Sequence, residues 1–123
     1  MPVTESARLL LADHARACHD ARVFLTNFLR RARWGGSAED AALVMDELVA
    51  NALTHAHSES VVECNVADSV LHIEVHDRDP SHFRPISAPG VGGGYGLRVV
   101  AALSQAWGCE AEATGKKVWA DLS

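Results

Sequence analysis

Met45-Asp46-Glu47-Leu48-Val49-Ala50-Asn51-Ala52-Leu53-Thr54-His55-Ala56 is the stretch whose reading decides the fold. It forms the second half of a helix that the pattern places over residues 37–56. Ser37 followed three residues later by Asp40 resembles a capping box, with aspartate where glutamate or glutamine is usual. Val44, Met45, Leu48, Ala52 and Leu53 supply the buried side. Glu47 and Asn51 stand at i and i+4, so their side chains share a different face, one turn apart. Such a pair fits a solvent-facing hydrogen bond. It also fits a cation–nucleotide site, because an amide oxygen is a hard ligand for Mg²⁺ and a carboxylate accepts protons.

On the amino-terminal side, residues 8–12 read as a short strand and residues 14–33 as a helix with the apolar stripe Cys18, Ala21, Leu25, Phe28 and Leu29. Arg30, Arg31 and Arg33 favour the negative end of its dipole, and Gly35-Gly36 is expected to terminate it. On the other side, residues 61–66 and 70–76 read as strands joined at Ala67-Asp68-Ser69. In the second strand Leu71, Ile73 and Val75 alternate with His72, Glu74 and His76, which predicts one buried and one wetter face. Residues 77–94 hold Pro80, Pro85, Pro89 and four glycines, the composition of a long mobile loop. A third helix is expected over residues 95–106. Two closing strands follow at 107–113 and 117–122, joined around Thr114-Gly115-Lys116. Helices and hairpins in this order predict an α+β fold, a two-layer α/β sandwich whose mixed, mainly antiparallel sheet carries its helices on one face.

With 123 residues the chain fits a single domain, residues 1–123, and its 48% hydrophobic and 22% charged content is that of an ordinary globular protein. Its apolar runs are far shorter than the roughly 20 residues a membrane-spanning helix needs. No signal-peptide pattern opens the chain, so a cytoplasmic location is expected. Cys18, Cys64 and Cys109 are odd in number and widely spaced, which points to buried or idle thiols rather than a disulfide framework or a zinc site. A formal charge of −5 argues against direct nucleic-acid binding. The seven histidines read as scattered surface residues, and Trp34, Trp107 and Trp119 as packing residues.

Two further segments carry chemistry. Asp77 follows the alternating strand directly; a carboxylate there can accept a hydrogen bond from an adenine amino group, where guanine presents a carbonyl, or can simply start a turn. Gly90-Val91-Gly92-Gly93-Gly94-Tyr95-Gly96-Leu97 leads into a helix, so its amides can approach an anion closely at a helix amino terminus. A flexible linker is the competing reading of those glycines. The spacing is neither a P-loop nor a dinucleotide fingerprint.

Taken in order, these segments resemble the GHKL (histidine-kinase-like) ATPases of the Bergerat fold, and within them the anti-sigma-factor serine kinases. Residues 45–56 resemble the E-x-x-x-N-A-x-x-H box, Val75-His76-Asp77-Arg78-Asp79-Pro80 the adenine box, Gly94-Tyr95-Gly96-Leu97 the end of the ATP lid, and Gly115-Lys116-Lys117-Val118-Trp119 the closing strand. The resemblance implies ATP and Mg²⁺ as ligands. Asn51 would coordinate Mg²⁺, Asp77 would hold the adenine amino group, and Gly92, Gly93, Gly94, Tyr95, Gly96 and Leu97 would line the phosphates. Glu47, rather than Asp46, would be the general base, since only Glu47 shares a face with Asn51 at i+4. His55 matches a family histidine and is read first as structural.

The same resemblance implies a protein serine/threonine kinase acting on an anti-sigma-factor antagonist, with a sigma factor or that antagonist as partner and a homodimer left open. The competing class is a non-catalytic module of the same fold that sequesters its partner. A detached histidine-kinase half is less favoured, because no phosphoacceptor helix pair precedes the domain. Two departures from the family stand out. Arg78, Asp79 and Pro80 replace the glycines that often follow the adenine aspartate, and Lys117 stands where relatives often carry a threonine near the adenine pocket.

Overall fold

A computed structural model describes residues 5–12, 15–55, 59–78 and 95–123, apart from the side chains of residues 54, 55, 95 and 96. The described residues form β1 (Glu5–Leu11), α1 (Ala17–Ala32), α2 (Ala38–His55), β2 (Ser60–Ala67), β3 (Val70–Asp77), α3 (Tyr95–Leu103), β4 (Ala106–Glu112) and β5 (Gly115–Leu122). The segment expected as a mobile loop lies outside them from residue 79 to 94. Asp77, expected to open that loop, is instead the last residue of β3.

The five strands make one sheet in the order β1-β2-β3-β5-β4, and every neighbouring pair is antiparallel. The sheet, expected to be mixed but mainly antiparallel, has only antiparallel pairs among the described residues. The cause is the path after β3: the chain returns through α3 to the outer edge as β4, and a hairpin then folds β5 back between β4 and β3. None of the described helices is long and apolar enough to cross a membrane.

Local chemistry sets the element ends. The Ser37 hydroxyl accepts the Asp40 backbone N–H at 3.1 Å, which caps α2 as the sequence suggested. α1 ends differently from expectation. Arg33, not a glycine, takes the left-handed conformation (φ 53°, ψ 41°), and its N–H and that of Trp34 bond back to Arg30 and Leu29. This is the paired-bond helix stop that glycine usually provides. Asp68 and Ser69 both have positive φ, as a two-residue hairpin that follows strand twist requires. The Trp34 indole N–H donates to the Ser69 carbonyl at 3.1 Å and ties the end of α1 to that turn. α3 stops at Leu103, earlier than expected, because the Gln105 N–H already bonds the Asp121 carbonyl of β5.

Core residues come from one face of the sheet and the stripes of the helices. Leu25 and Phe28 of α1, Val44, Met45, Leu48 and Val49 of α2, and Val100 of α3 pack over Val62, Cys64, Leu71, Ile73, Val75, Val118 and Ala120. α2 is the central helix: it touches α1 on one side, α3 on the other, and β3 and β5 beneath. Burial pushes the Cys64 thiol up to about 12, so it is an inert core group, as expected of these cysteines.

The opposite face of the sheet is polar and networked. His72 and His76 each bond a carboxylate oxygen of Glu74 at 2.8 Å, and their other ring nitrogens bond Asp121 and Glu112 respectively. Lys117 reaches Glu110 at 3.2 Å and Glu74 at 3.7 Å. These two histidines are therefore not scattered. Trp119, expected as a packing residue, stacks on His72 on this outer face with ring centroids 5.8 Å apart. Glu63, Glu74 and His76 also bring one ligand atom each within 4.8 Å of one another, but the hydrogen bonds and charges just described account for that clustering.

Two outcomes follow for stability. A Cβ at Gly115 would fall 1.9 Å from the Asp77 carbonyl oxygen, a contact with backbone that no rotamer relieves. Gly115→Ala should therefore cost about 1–3 kcal/mol in urea unfolding, the usual scale for overpacking; an unchanged midpoint would contradict this close approach. The second outcome concerns pH. Burial alone would lower His76, but its bonds to Glu112 and Glu74 outweigh burial and raise it. Burial alone would raise Glu74, but bonds from His72 and His76 and the charge of Lys117 hold it below the ordinary carboxylate range. The His76 contribution is complete below its unfolded value, about 6.5, and is lost as pH rises through the raised folded value; that of Glu74 is complete above about 4.3 and lost as pH falls through its lowered value. Thermal melts should show the wild type losing stability relative to His76→Gln as pH rises from about 6.5 through the raised folded value. A His76→Gln variant that tracks the wild type across that range would contradict the network.

Candidate functional site

The rotation of α2 follows from its packing. Ala41, Val44, Met45, Leu48, Val49 and Ala52 are buried, which turns that stripe toward the sheet. Successive helical residues lie about 100° apart. Asp46 falls on the α1 side, where its carboxylate is bracketed by the Arg22 guanidinium, with the Arg22 Nε at 2.9 and 3.2 Å from its two oxygens. Glu47 and Asn51 therefore lie on the opposite flank, the side on which α3 packs. Both are half-buried. The Asn51 Oδ1 atom is buried and has no hydrogen-bond partner among the described residues. An unsatisfied buried carbonyl costs about 1–3 kcal/mol, so this atom calls for a water, an ion or a ligand as partner.

Strand alternation builds the floor of the site. Leu71, Ile73 and Val75 of β3 face the core, and the next residue in that row is Asp77, only 3% exposed. On β5 the row Leu122, Ala120 and Val118 continues to Lys116, 5% exposed, and on β2 the row Val66, Cys64 and Val62 continues to Ser60, 2% exposed. The register sets Asp77 directly between Ser60 and Lys116. Three polar residues thus complete three apolar rows at one end of the sheet. The Lys116 ammonium lies 3.2 Å from the Asp77 carboxylate. The Ser60 Oγ, like Asn51 Oδ1, is buried without a partner among the described residues.

Connectivity brings the helices to the same end. α2 stops at His55 and β2 starts at Ser60, so the carboxyl-terminal half of α2 stands over the Ser60–Asp77–Lys116 row. The short link from Leu103 to Ala106 ties the end of α3 to the far end of the sheet, where Ala106 pairs with Asp121. That directs the amino terminus of α3 back toward Asp77. Tyr95 and Gly96 open this helix, and Leu97 is buried at 3% exposure. Gly92, Gly93 and Gly94 lie outside the described residues, as do the side chains of Tyr95, Gly96 and His55.

Lys116 and Ser60 belong to this row, and the sequence motifs assign neither of them a site role. The signal was the two-residue period: traced back from Val118, it puts Lys116 on the core face, whereas starting the closing strand at Lys117 consigned Lys116 to a turn. The departure assigned to Lys117 needs correcting for the same reason. Lys117 is opposite His76 and points to the outer face, while the lysine beside Asp77 is Lys116.

The donors suit a nucleotide with a hard cation. Asn51 offers an oxygen without a partner among the described residues, Asp77 a carboxylate acceptor, and the start of α3 a helix amino terminus, which favours phosphate. Comparison with known proteins points the same way. No curated protein matches the chain. The crystal structure of the RsbU and RsbW domains of Rv1364c from Mycobacterium tuberculosis superposes with a TM-score of 0.72 at 20% identity, covering 97% of this chain. The chain spans 32% of that longer one, and at this identity the likeness is one of fold. A family model described as the histidine kinase-like ATPase domain matches residues 11–122, nearly the full length, with Asn51, Asp77 and the α3 amino terminus all inside it. The chain belongs to the histidine kinase-like ATPase domain family.

Proposed function

We propose that this domain binds ATP with Mg²⁺ at the junction of α2, β3, β5 and α3, and that it works as an anti-sigma-factor serine kinase, phosphorylating a serine or threonine of an antagonist protein. The observation that carries the reading is the buried, partnerless Asn51 Oδ1 one turn from Glu47 and above the Asp77 row. Asn51 would hold Mg²⁺, which when bound supplies positive charge against the phosphate oxygens. Asp77 would accept from the adenine amino group. Residues 92–97 would offer backbone N–H groups to the phosphates. Glu47 would take the proton of the incoming hydroxyl as its oxygen bonds the γ-phosphorus and the bond to the departing ADP breaks.

The choice of Glu47 rests on geometry. Asp46 is held by Arg22 on the α1 side, while Glu47 shares the Asn51 flank. A sequestering module without phosphoryl transfer is the second reading, and the ion pair between Asp77 and Lys116 favours it, since that pair already engages the base-recognising carboxylate.

Calorimetry should show Mg·ATP binding in preference to GTP by roughly tenfold to a hundredfold, the effect of about 1–3 kcal/mol for mismatched polar groups. Equal affinities would remove Asp77 from base recognition. Asn51→Ala should weaken the Mg²⁺-dependent part of binding, and Glu47→Gln should keep binding but slow transfer to a cognate antagonist by about 10²-fold. A wild-type protein that binds ATP and its partner yet transfers no phosphate would replace the kinase reading with the sequestering one.

A further inference from the structure

We infer that Lys116 is a built-in competitor for the base subsite, an affinity-determining residue whose ammonium occupies the carboxylate that the purine amino group must use. The inference rests on the nucleotide-binding reading and deepens it.

The geometry is specific. Lys116 extends from the core face of β5 rather than toward water, and its Nζ lies 3.2 Å from Asp77 Oδ2 with the side chains 6% and 2% exposed. The register fixes this contact, because Lys116 is the cross-strand partner of Asp77. Gly115 supports it further: its missing Cβ lets β5 run close against the Asp77 backbone. A lysine on a core face is costly unless paired, so the ammonium holds to the carboxylate in the nucleotide-free chain.

A purine amino group is a neutral donor, and the ammonium is a charged one. Both would be charge-assisted bonds to the carboxylate, but only the ammonium adds an opposite full charge at low dielectric. A base entering this subsite would therefore exchange an ion pair for a bond from a neutral donor and strand a buried ammonium. Removing the lysine charge removes that opposition, so nucleotide affinity should rise. The effect belongs to the base end of the ligand alone, since the phosphates are served by Asn51 and the amino terminus of α3.

The test uses the full chain and calorimetric titration of Mg·ADP and of Mg·tripolyphosphate, which has phosphates but no base. Lys116→Thr keeps a small donor for Asp77, and Lys116→Gln keeps length and a donor without charge, so one variant remains if the other folds poorly. The expected result is Mg·ADP binding at least about tenfold tighter in either folded variant, with tripolyphosphate binding unchanged; tenfold corresponds to about 1.4 kcal/mol. Mg·ADP affinity that is unchanged or weaker in both folded variants overturns the role of Lys116 while leaving nucleotide binding in place. So does equal tightening for tripolyphosphate, which would mean that the charge acts at long range and not on the base. If neither wild type nor variants bind Mg·ADP, the nucleotide reading itself fails and the role of Lys116 falls with it.

Discussion

α2 can bury only one side against β3 and β5, and this constraint decides where every polar group of the candidate site goes. With Val44, Met45, Leu48, Val49 and Ala52 turned to the sheet, Asp46 is carried to α1 and Glu47 and Asn51 to α3. A rotation of one residue would exchange those roles and expose part of the core stripe. Full burial of a leucine or valine side chain is worth about 1.5–3 kcal/mol, so several such residues hold the orientation firmly. The same packing leaves the buried Asn51 oxygen without a partner among the described residues.

The sheet separates two kinds of charge. On the outer face His72, Glu74, His76, Lys117, Glu110, Glu112 and Asp121 share hydrogen bonds near water and tune stability with pH. On the core face a single row, Ser60–Asp77–Lys116, carries charge into a low-dielectric setting where pairing is obligatory. The pH-sensitive network and the candidate site thereby lie on opposite sides of one sheet. An outer-face substitution can shift melting without touching the site.

Much of this was legible in the sequence. Alternation along residues 70–76 and the helical stripe of residues 44–53 gave the layer order, and Glu47, Asn51 and Asp77 stood out by spacing and position. Three things were not legible, each for a physical reason. The left-handed stop of α1 falls on Arg33 because backbone bonds to Arg30 and Leu29 and the anchoring of Trp34 to Ser69 outweigh the preference for glycine. Trp119 lies on the outer face because the register pairs it with Glu74 there, which its aromatic character alone does not reveal. Lys116 was passed over because a lysine beside a glycine turn looks solvated, and only the register with β3 shows that it faces inward.

The central claim is that one end of the core face, below α2, is the nucleotide site. Amide chemical-shift mapping of the labelled full chain during titration with Mg·ADP tests it most directly. The account predicts shifts concentrated at Glu47, Asn51, Ser60, Asp77, Lys116 and Leu97, with His72, Trp119 and Asp121 of the outer network unmoved. Saturable shifts centred on that outer network, or none near Asn51 and Asp77 at concentrations that saturate binding, would contradict it.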